Sequence, residues 1–438
     1  MKLTSSYKAE VKNNPNFKAT VELYRKAISF LITVCDAEWD SIVKVEGSKR
    51  RQIYVETLVH TTKNHMAKYQ EFDVNFYKFP SYLRRAAISD AIGAVSSYHS
   101  NYANWEKGDQ KTKPPRLQPD THSMPVFYRD DCYKETDDPN VVLLKLFVRN
   151  DWRWVPARLR STDIKYIQKK RAEAKCCAPV LEKSYGKYYL RFAFQQEVAL
   201  SDTPECDRIV CAVDLGLNTD AVCVIMDSKG TVLARKFINF PSEKDLLYRV
   251  LNRIKKQQRK HGNGFCTRRW SYATNLNTDL GNKIAAAIVS FASRHDADVI
   301  VFEHLDMNGK KHGKDKQKLH MWRKNTIQAV ATHKAHQLGM RVSRICAWGT
   351  SKLAFDGSGE VERDKDNHAL CTFKTGKRYN CDLNAAYNIG ARYYIRALLK
   401  PLRESVRSQT VAKVQGLERR TSNTLATLTA LNSELETA

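Results

Sequence analysis

The chain has 438 residues, a hydrophobic fraction of 42% and a formal net charge of +26. This length allows roughly two to four domains, and the apolar fraction is enough for a sizeable core. No apolar run approaches the ~20 residues that a membrane-spanning helix requires, so we expect no membrane partner. The positive charge is spread along the chain, which favours a large polyanionic partner over the alternative of a merely basic protein.

The eleven cysteines are an odd number, and Cys211 and Cys223 lie within apolar strand patterns. Residues 1–6 lead into polar sequence without the apolar run of a signal peptide. These features are typical of a protein with reduced thiols, so we expect a cytoplasmic location.

In chain order, we first expect a short strand over 3–11 and a helical segment over 17–106. Apolar residues recur in that segment at three- and four-residue intervals, as in Leu23, Ala27, Phe30 and Leu31. Arg84 and Arg85 adjoin a similar apolar stripe, where they either face solvent or contact phosphate groups. The proline-rich stretch 111–119 ends the helical segment.

The pattern after residue 120 predicts strands. Residues 141–148 form an apolar run, and residues 188–194 alternate between apolar and polar after a hairpin turn at 184–187. We therefore predict that 1–16 and 107–206 form one β-rich, barrel-like unit. The helical segment 17–106 would be an insertion in that unit.

From residue 207 the pattern predicts an α/β domain. Strands over 208–214, 221–227 and 231–238 would form a three-strand meander. A helix over 243–261 has one apolar side, and basic side chains surround the rest of it. Five of these basic residues are candidate nucleic-acid contacts: Arg249, Arg253, Lys256, Arg259 and Lys260. The alternative for this helix is an ordinary amphipathic surface helix.

A second helix over 280–295 leads to a strand that ends at Glu303. A charged loop that includes Lys310 and Lys311 follows, and then a helix that ends at about Gln337 and a strand over 339–345. Residues 401–438 are rich in Thr, Ser, Leu and Glu. We expect a partly ordered helix there, followed by a disordered end.

Three acidic residues stand at the polar ends of apolar segments. Asp214 closes the first strand of the meander, Glu303 closes a later strand, and Asp382 begins a helix. Carboxylates resist burial unless they are paired or bound to metal. Three converging carboxylates can hold divalent cations for phosphodiester chemistry. Taken singly, each acid has the alternative of a turn or cap residue.

The order of these elements is typical of an RNase H-like nuclease of the RuvC type. In that arrangement the strand of Asp214 lies beside the strand of Glu303, and the helix of Asp382 packs across both. We expect two Mg²⁺ or Mn²⁺ ions, about 3.5–4 Å apart, to bind between the three acids. Asn388 is predicted to make a polar contact near the site and not to bind metal.

The motifs Asp214-Leu215-Gly216, Glu303 and 382–389 resemble those of the TnpB family. The resemblance implies a transposon-encoded, RNA-guided DNA endonuclease, related to the type V CRISPR effectors, in a prokaryotic cytoplasm or nucleoid. Its partners would be a guide RNA and a DNA target in double- and single-stranded form. Residues 1–16 and 107–206 would be the wedge unit, and 17–106 the helical recognition insertion. The nuclease domain would be 207–345 with 381–400, and Lys310–Lys318 would be a lid.

The chain departs from the family at 346–380, where most members carry a zinc module with four cysteines. Ala354, Gly357 and Lys374 occupy cysteine positions here, and Cys371 remains. Because structural zinc requires four Cys or His ligands, we predict a zinc-free hairpin. We expect this hairpin to pack Phe355, Leu370 and Phe373 together.

Arg363 lies upstream of Asp382, where related nucleases place an arginine that reaches the active site. The resemblance implies that its guanidinium stabilises charge on the phosphate. The alternative is a turn arginine paired with the neighbouring acids.

The leading hypothesis is therefore a metal-dependent, RNA-guided DNA endonuclease. The alternatives are a non-cutting RNA-guided DNA-binding protein or repressor and, thirdly, a junction resolvase or DDE-type transposase. Such non-cutting relatives usually lose at least one acid, whereas all three acids are present here. The sequence leaves the oligomeric state open.

Overall fold

The computed structural model describes residues 1–438 except 13, 111, 172–173, 305–320 and 438, and it does not describe the side chains of 170, 171, 263 and 265. The chain divides into two compact units. The first is Lys2–Gln196, and the second is Met1 with Glu197–Ala438. None of the described helices is long and apolar enough to cross a membrane.

The first unit combines helices with two small antiparallel sheets. Its helices are α1 (Pro15–Ala37), α2 (Trp39–Lys44), α3 (Ser48–Val59), α4 (Glu71–Asn75), α5 (Ser81–Lys107) and α6 (Ser161–Arg171). Its strands are β1 (Lys2–Val11), β2 (Tyr133–Glu135), β3 (Val141–Val148), β4 (Asp151–Arg158), β5 (Lys175–Cys176), β6 (Val180–Ser184) and β7 (Lys187–Glu197). One sheet has the order β1-β7-β5 with β6 on β7, and the other has the order β2-β3-β4.

The predicted helical segment and the hairpin of β6 and β7 are confirmed. Phe17 and Leu31 of α1, Leu83 of α5, Leu144 of β3 and Leu190 of β7 all belong to one buried apolar cluster. The helices and the strands of this unit therefore share a core. The predicted boundaries at 16/17 and 106/107 do not separate two cores.

The second unit is built on a five-stranded sheet. Its strands are β8 (Val210–Asp214), β9 (Ala221–Met226), β10 (Val232–Ile238), β11 (Val299–His304), β12 (Arg341–Cys346), β13 (Glu362–Arg363), β14 (Leu370–Thr372) and β15 (Arg378–Asn380). Its helices are α7 (Pro241–His261), a 3₁₀ turn (Asn263–Cys266), α8 (Thr267–Arg294), α9 (Lys324–Gln337), α10 (Cys381–Leu399), α11 (Glu404–Lys413) and α12 (Leu425–Thr437).

The main sheet has the order β10-β9-β8-β11-β12. The first three strands form the predicted antiparallel meander, and β11 runs parallel to both β8 and β12. Helix α10 covers one face of the sheet, and α8 and α9 cover the other. Because both faces are buried, β8, β9 and β11 are nearly continuous apolar runs. This layering brings the ends of β8, β11 and α10 together.

Two sequence predictions for this unit are wrong. Helix α8 begins at Thr267 and not at 280. Its first turns bury only a thin stripe against α7, at Ala273 and Leu276, so their apolar pattern in the sequence is too weak to predict a helix. Residues 404–413 and 425–437 are helical, so the expected disordered end is not found. Leu428 and Leu431 of α12 are fully buried in the cluster that includes α10, and this apolar stripe supplies the stability that the Thr- and Ser-rich composition conceals.

Residues 346–380 contain the three-stranded sheet β13-β14-β15. Its core joins Cys371, Phe373 and Cys381 with Phe355, whose ring centroid lies 5.3 Å from that of Phe373. The predicted packing of Phe355 on Phe373 is confirmed. The predicted partner Leu370 lies outside this cluster, because residues that alternate along a strand face opposite sides.

Candidate active site

Asp214 and Glu303 lie side by side at the same end of the main sheet. Strands β8 and β11 are parallel, and their paired residues end at Val213 opposite Phe302. Each acid is the next residue of its strand. The carboxyl ends of parallel neighbours meet at one edge of a sheet, so the strand register places these two side chains together.

A tight turn follows Asp214 at the end of β8 and leads to a residue that lies near Asp382. A Cβ atom at Gly216 would lie 2.6 Å from the carbonyl oxygen of Thr219, a distance that no real side chain tolerates. The turn therefore requires glycine. It places Thr219 near Asp382, where the Thr219 side chain lowers the pKa of that acid.

Asp382 lies in the first turn of α10, where the side chain of Asn380 caps the helix by accepting a hydrogen bond from the Leu383 amide (2.9 Å). The helix lies very close to the sheet. A Cβ atom at Gly390 would be 3.0 Å from the Met226 sulfur and 3.4 Å from Ala212 Cβ. This close approach holds the helix N-terminus over the ends of β8 and β11.

The three carboxyl groups interact electrostatically. Burial raises the pKa of Asp214 well above its usual range, and the charges of Glu303 and Asp382 raise it further. Burial also raises the pKa of Asp382, whereas the Thr219 hydrogen bond and the positive charge of Arg363 lower it. Arg363 has the same lowering effect on Asp214. The acids thus form a partly buried site with excess negative charge.

Arg363 lies within electrostatic reach of two site acids, although it comes from the small sheet. It is paired with Cys371 in the β13–β14 ladder. The adjacent acid Asp364 forms its ion pair with Arg378, at 2.7 Å. Of the neighbouring acids that the turn-arginine alternative would pair with Arg363, Asp364 is therefore already engaged by another arginine.

Glu303 is held by two hydrogen bonds. Its backbone carbonyl accepts a bond from the Gln328 side chain (2.9 Å), and its carboxylate accepts one from the Thr350 hydroxyl. Burial raises the pKa of Glu303, while the Thr350 hydroxyl and the charge of Arg392 lower it. Thr350 and Gln328 lie outside the three elements that carry the acids, and neither was predicted to contact the site.

Asn388 fixes the position of Thr350. Its side-chain amide donates to the carbonyl oxygens of Thr350 (3.0 Å) and Leu353 (2.9 Å), and its oxygen accepts from the Leu425 amide (3.2 Å). Asn384, one turn earlier, binds Leu353 and Phe355 in the same manner. The predicted polar contact of Asn388 near the site is confirmed. The two asparagines connect α10 to the loop that orients Glu303.

A buried arginine, Arg392, ties this loop to the C-terminal helices. Its guanidinium donates to the carbonyl oxygens of Cys346 (2.8 Å), Trp348 (2.7 Å), Thr421 (2.8 Å) and Asn423 (3.0 Å). The side chain is 5% exposed, and a buried guanidinium needs such a full set of acceptors. This contact has no signature in the sequence.

The predicted nucleic-acid contacts have different outcomes. Arg84 is buried, and its guanidinium binds the Glu56 carboxylate at 2.9 Å, so the structure contradicts a role in phosphate contact for it. Arg85 shares that carboxylate but stays partly exposed. The predicted basic residues of α7 are exposed: Arg249, Arg253, Lys256, Arg259 and Lys260. Lys310 and Lys311, with the predicted lid, lie outside the described residues.

The donor chemistry of the site fits a hard divalent cation. The three side chains offer carboxylate oxygens, which Mg²⁺ and Mn²⁺ prefer, and their mutual repulsion favours a positive ion. Within the described part of the chain, no three His, Cys, Asp or Glu side chains already stand at metal-binding spacing. A bound cation would have to draw the carboxylates closer together.

Comparisons with known proteins identify one solved structure with a similar fold. A family model described as the Aq_aa04 family matches residues 4–148, and no curated protein sequence matches the chain. The solved structure of a Cas12f1–sgRNA–target DNA complex aligns at 14% identity and a TM-score of 0.52, covering 85% of this chain and 81% of that one. The fold is similar to that of Cas12f1.

Two further solved structures align over most of both chains with lower scores. The mini-RNA-guided endonuclease CRISPR-Cas_phi3 gives 11% identity and a TM-score of 0.49, covering 90% of this chain and 92% of that one. CasPhi-2 (Cas12j) bound to crRNA gives 11% identity and a TM-score of 0.41, covering 90% and 98%. The similarity to Cas12f1 shows a mixed α/β, multidomain fold.

Proposed function

We propose that this protein is an RNA-guided, divalent-metal-dependent DNA endonuclease of the TnpB family, with a single RuvC-like cutting site. One observation carries the proposal. Asp214, Glu303 and Asp382 come from three separate elements, and all three lie at the carboxyl ends of strands β8 and β11 or at the start of helix α10, which packs on these strands. Such a group destabilises the folded state unless a cation binds it, so its presence is explained by chemistry and not by packing.

The three acids would hold Mg²⁺ or Mn²⁺. When bound, a pair of such ions activates water and stabilises the leaving oxygen of a phosphodiester. This chain supplies the orientation of the ligands. Thr350 fixes Glu303, the strand register fixes Asp214, and Asp382 lies in the first turn of a helix capped by Asn380.

Arg363 is the candidate for charge stabilisation at the scissile phosphate. Its charge acts on Asp214 and Asp382, and its side chain is exposed. A guanidinium in that position can donate two hydrogen bonds to phosphate oxygens. Since arginine keeps its proton at any physiological pH, it provides electrostatic stabilisation without acting as an acid.

Guidance by RNA is supported by charge and by the fold. The net charge of +26 suits a protein that holds long polyanions. The structure of Cas12f1 with a similar fold contains sgRNA and target DNA. In RNA-guided systems base pairing reads the sequence, so the protein needs basic surfaces more than base-reading side chains. The exposed basic residues of α7 provide one such surface.

The decisive experiment is a cleavage assay on the protein co-expressed with its flanking locus. Sequencing the co-purified RNA identifies the guide, which is then reprogrammed against a plasmid. We expect Mg²⁺-dependent cleavage that Asp214→Ala abolishes, while RNA-dependent DNA binding is retained. Cleavage by Asp214→Ala would overturn the assignment of the site. Binding without cleavage by the wild type would favour the non-cutting alternative.

The matched control is Asp227→Asn. Asp227 also follows a core strand, but it lies at the end of the strands opposite to Asp214. Met226, the residue before it, pairs with Val210 at the start of β8. Its carboxylate caps a turn by accepting from the amides of Lys229 and Thr231. This variant should cut DNA at the wild-type rate.

A further inference from the structure

Trp348 is an exposed indole in the loop between β12 and Thr350, the residue that binds Glu303. The side chain is 69% exposed. It follows β12 by two residues, and the last residue of β12, Cys346, pairs with His304, the neighbour of Glu303. Two residues after Trp348, the hydroxyl of Thr350 binds Glu303. The ring therefore belongs to the short loop that orients a site carboxylate.

The backbone under this ring is unusually well fixed. Arg392 donates to the carbonyl oxygens of Cys346 and Trp348. Gly349 has a φ of +75°, and a Cβ atom there would lie 3.1 Å from the Thr421 carbonyl oxygen. Hydrogen bonds from Arg392 and the close packing at Gly349 thus hold the backbone of this loop. The fold presents the indole outward from this support, where its face is available to a ligand.

A cation accompanies the ring. The Nζ atom of Lys352 lies 5.7 Å from the Trp348 ring centroid, and Lys352 is itself exposed. An aromatic face for a base and an ammonium group for the adjoining phosphate are the two components of single-strand nucleic-acid binding.

We propose that Trp348 stacks on one base of the single-stranded DNA that enters the cutting site, and that Lys352 contacts a neighbouring phosphate. This inference rests on the proposed endonuclease function and names a positioning residue for it. Stacking fixes the strand at a set distance from the acids, so one phosphodiester bond is presented for cutting. The contact tolerates any base, because every base has an aromatic face.

The test measures binding of a fluorescent single-stranded DNA oligonucleotide in the Asp214→Ala background, at fixed salt. We expect Trp348→Ala to weaken binding by about 5- to 100-fold and Trp348→Phe to weaken it much less. Phe237→Ala is the matched control, because Phe237 is 48% exposed and lies on β10 at the far edge of the sheet from β12. It should bind like its parent. Equal affinities for Trp348→Ala and Phe237→Ala would overturn the proposal.

A second measurement identifies the stacked base. Single abasic substitutions are moved along the oligonucleotide, and each is measured with the parent protein and with its Trp348→Ala variant. At one position the abasic site should weaken binding to the parent and have little further effect on Trp348→Ala. Additive effects at every position would overturn stacking. A loss of self-association in Trp348→Ala with unchanged DNA binding would assign the ring to a protein contact instead.

The outcomes separate this inference from the function on which it rests. If guided DNA is cut by the wild type but Trp348→Ala binds and cuts like the Phe237→Ala control, stacking is wrong and the endonuclease assignment stands. If the wild type never cuts but Trp348 supports single-strand binding, the endonuclease assignment is wrong and the stacking contact stands. Equal melting temperatures of the variants confirm that the exposed substitutions leave the fold intact.

Discussion

The Thr350 hydroxyl donates a hydrogen bond to the Glu303 carboxylate. Thr350 in turn receives a bond on its carbonyl oxygen from Asn388 of α10, the same helix that carries Asp382. The orientation of one site acid therefore depends on the helix that supplies another. A small displacement of α10 would disturb both acids together, which makes the site a single mechanical unit.

Thr350→Val removes the donor and keeps the shape of the side chain. Because the hydroxyl lowers the pKa of Glu303, its loss should raise that pKa and shift the acid limb of the pH–rate profile of DNA cleavage to higher pH. A hydrogen bond to a charged group contributes about 1.5–3 kcal/mol, so we expect a loss of about 10- to 100-fold in cleavage rate at neutral pH. Thr350→Ser keeps the hydroxyl and should restore most activity. A Thr350→Val enzyme with a wild-type pH profile would contradict this role.

Asn388→Ala should destabilise the second unit. The residue is fully buried, and its removal leaves the carbonyl oxygens of Thr350 and Leu353 and the amide of Leu425 without this partner. Unpaired buried polar groups cost about 1–3 kcal/mol each, and relaxation reduces the total, so we expect a loss of about 2–4 kcal/mol. Urea denaturation followed by circular dichroism measures it. Arg396→Ala, an exposed change on the same helix, serves as the control, and an equal midpoint for the two variants would refute the prediction.

The stability of the metal-free protein should fall as pH rises. The pKa of Asp214 is raised above its usual value of 3.8 in the folded state, so the folded state holds a proton that the unfolded state has lost. Stability therefore decreases from about pH 4 upward, until the folded-state pKa is passed. Asp214→Asn removes the contribution of Asp214 to this dependence and should raise the melting temperature at pH 7 by about 2–4 °C for each kcal/mol of repulsion relieved. Thermal melts in EDTA at several pH values measure the effect, and parallel curves for the two proteins would exclude it.

Residues 346–380 should remain folded without zinc. Burial raises the pKa of Cys371 to about 12, which keeps the thiol protonated, whereas zinc requires thiolate ligands. We expect elemental analysis to find less than one zinc per chain, and a zinc chelator to leave the melting temperature unchanged. A content of one zinc per chain would contradict the prediction that residues 346–380 fold without zinc.

An aromatic cluster joins residues 346–380 to the first turns of α10. Phe355 contacts the rings of Phe373, Tyr379 and Tyr387, with centroid distances of 5.3, 5.1 and 5.2 Å. Phe355→Ala should therefore lower the unfolding free energy of this unit by about 2–4 kcal/mol. Tyr248→Ala, at an exposed position of α7, is a suitable control in the same denaturation experiment.

The sequence was sufficient to predict the sheet and the strand and helix ends on which the three acids lie, because apolar strands with polar ends have a strong local signature. It was not sufficient for Thr350, Thr219 or Arg392. These residues act on partners that are distant in the chain, and such pairs produce no periodic pattern in the sequence. Arg84 was misassigned for the same reason, since its partner Glu56 lies on another helix, α3.

Composition misled the prediction for the C-terminal helices. The Thr- and Ser-rich stretch looked poorly ordered, but Leu425, Leu428 and Leu431 recur at three-residue intervals and face the core. Helix α8 was predicted too short, because its first half packs on a neighbouring helix and not on the sheet. In both cases a narrow apolar stripe was enough to order a helix, and the average composition of the segment hid that stripe.

The four hydrogen bonds that Arg392 donates have a consequence for protein synthesis. Two of its four acceptors, at Thr421 and Asn423, lie downstream of all three site acids, so the ribosome produces them last. A nascent chain that has already exposed Asp214, Glu303 and Asp382 still lacks the support of the loop that orients Glu303. The loop that orients Glu303 is therefore fully supported only after residues 421–423 have been synthesised.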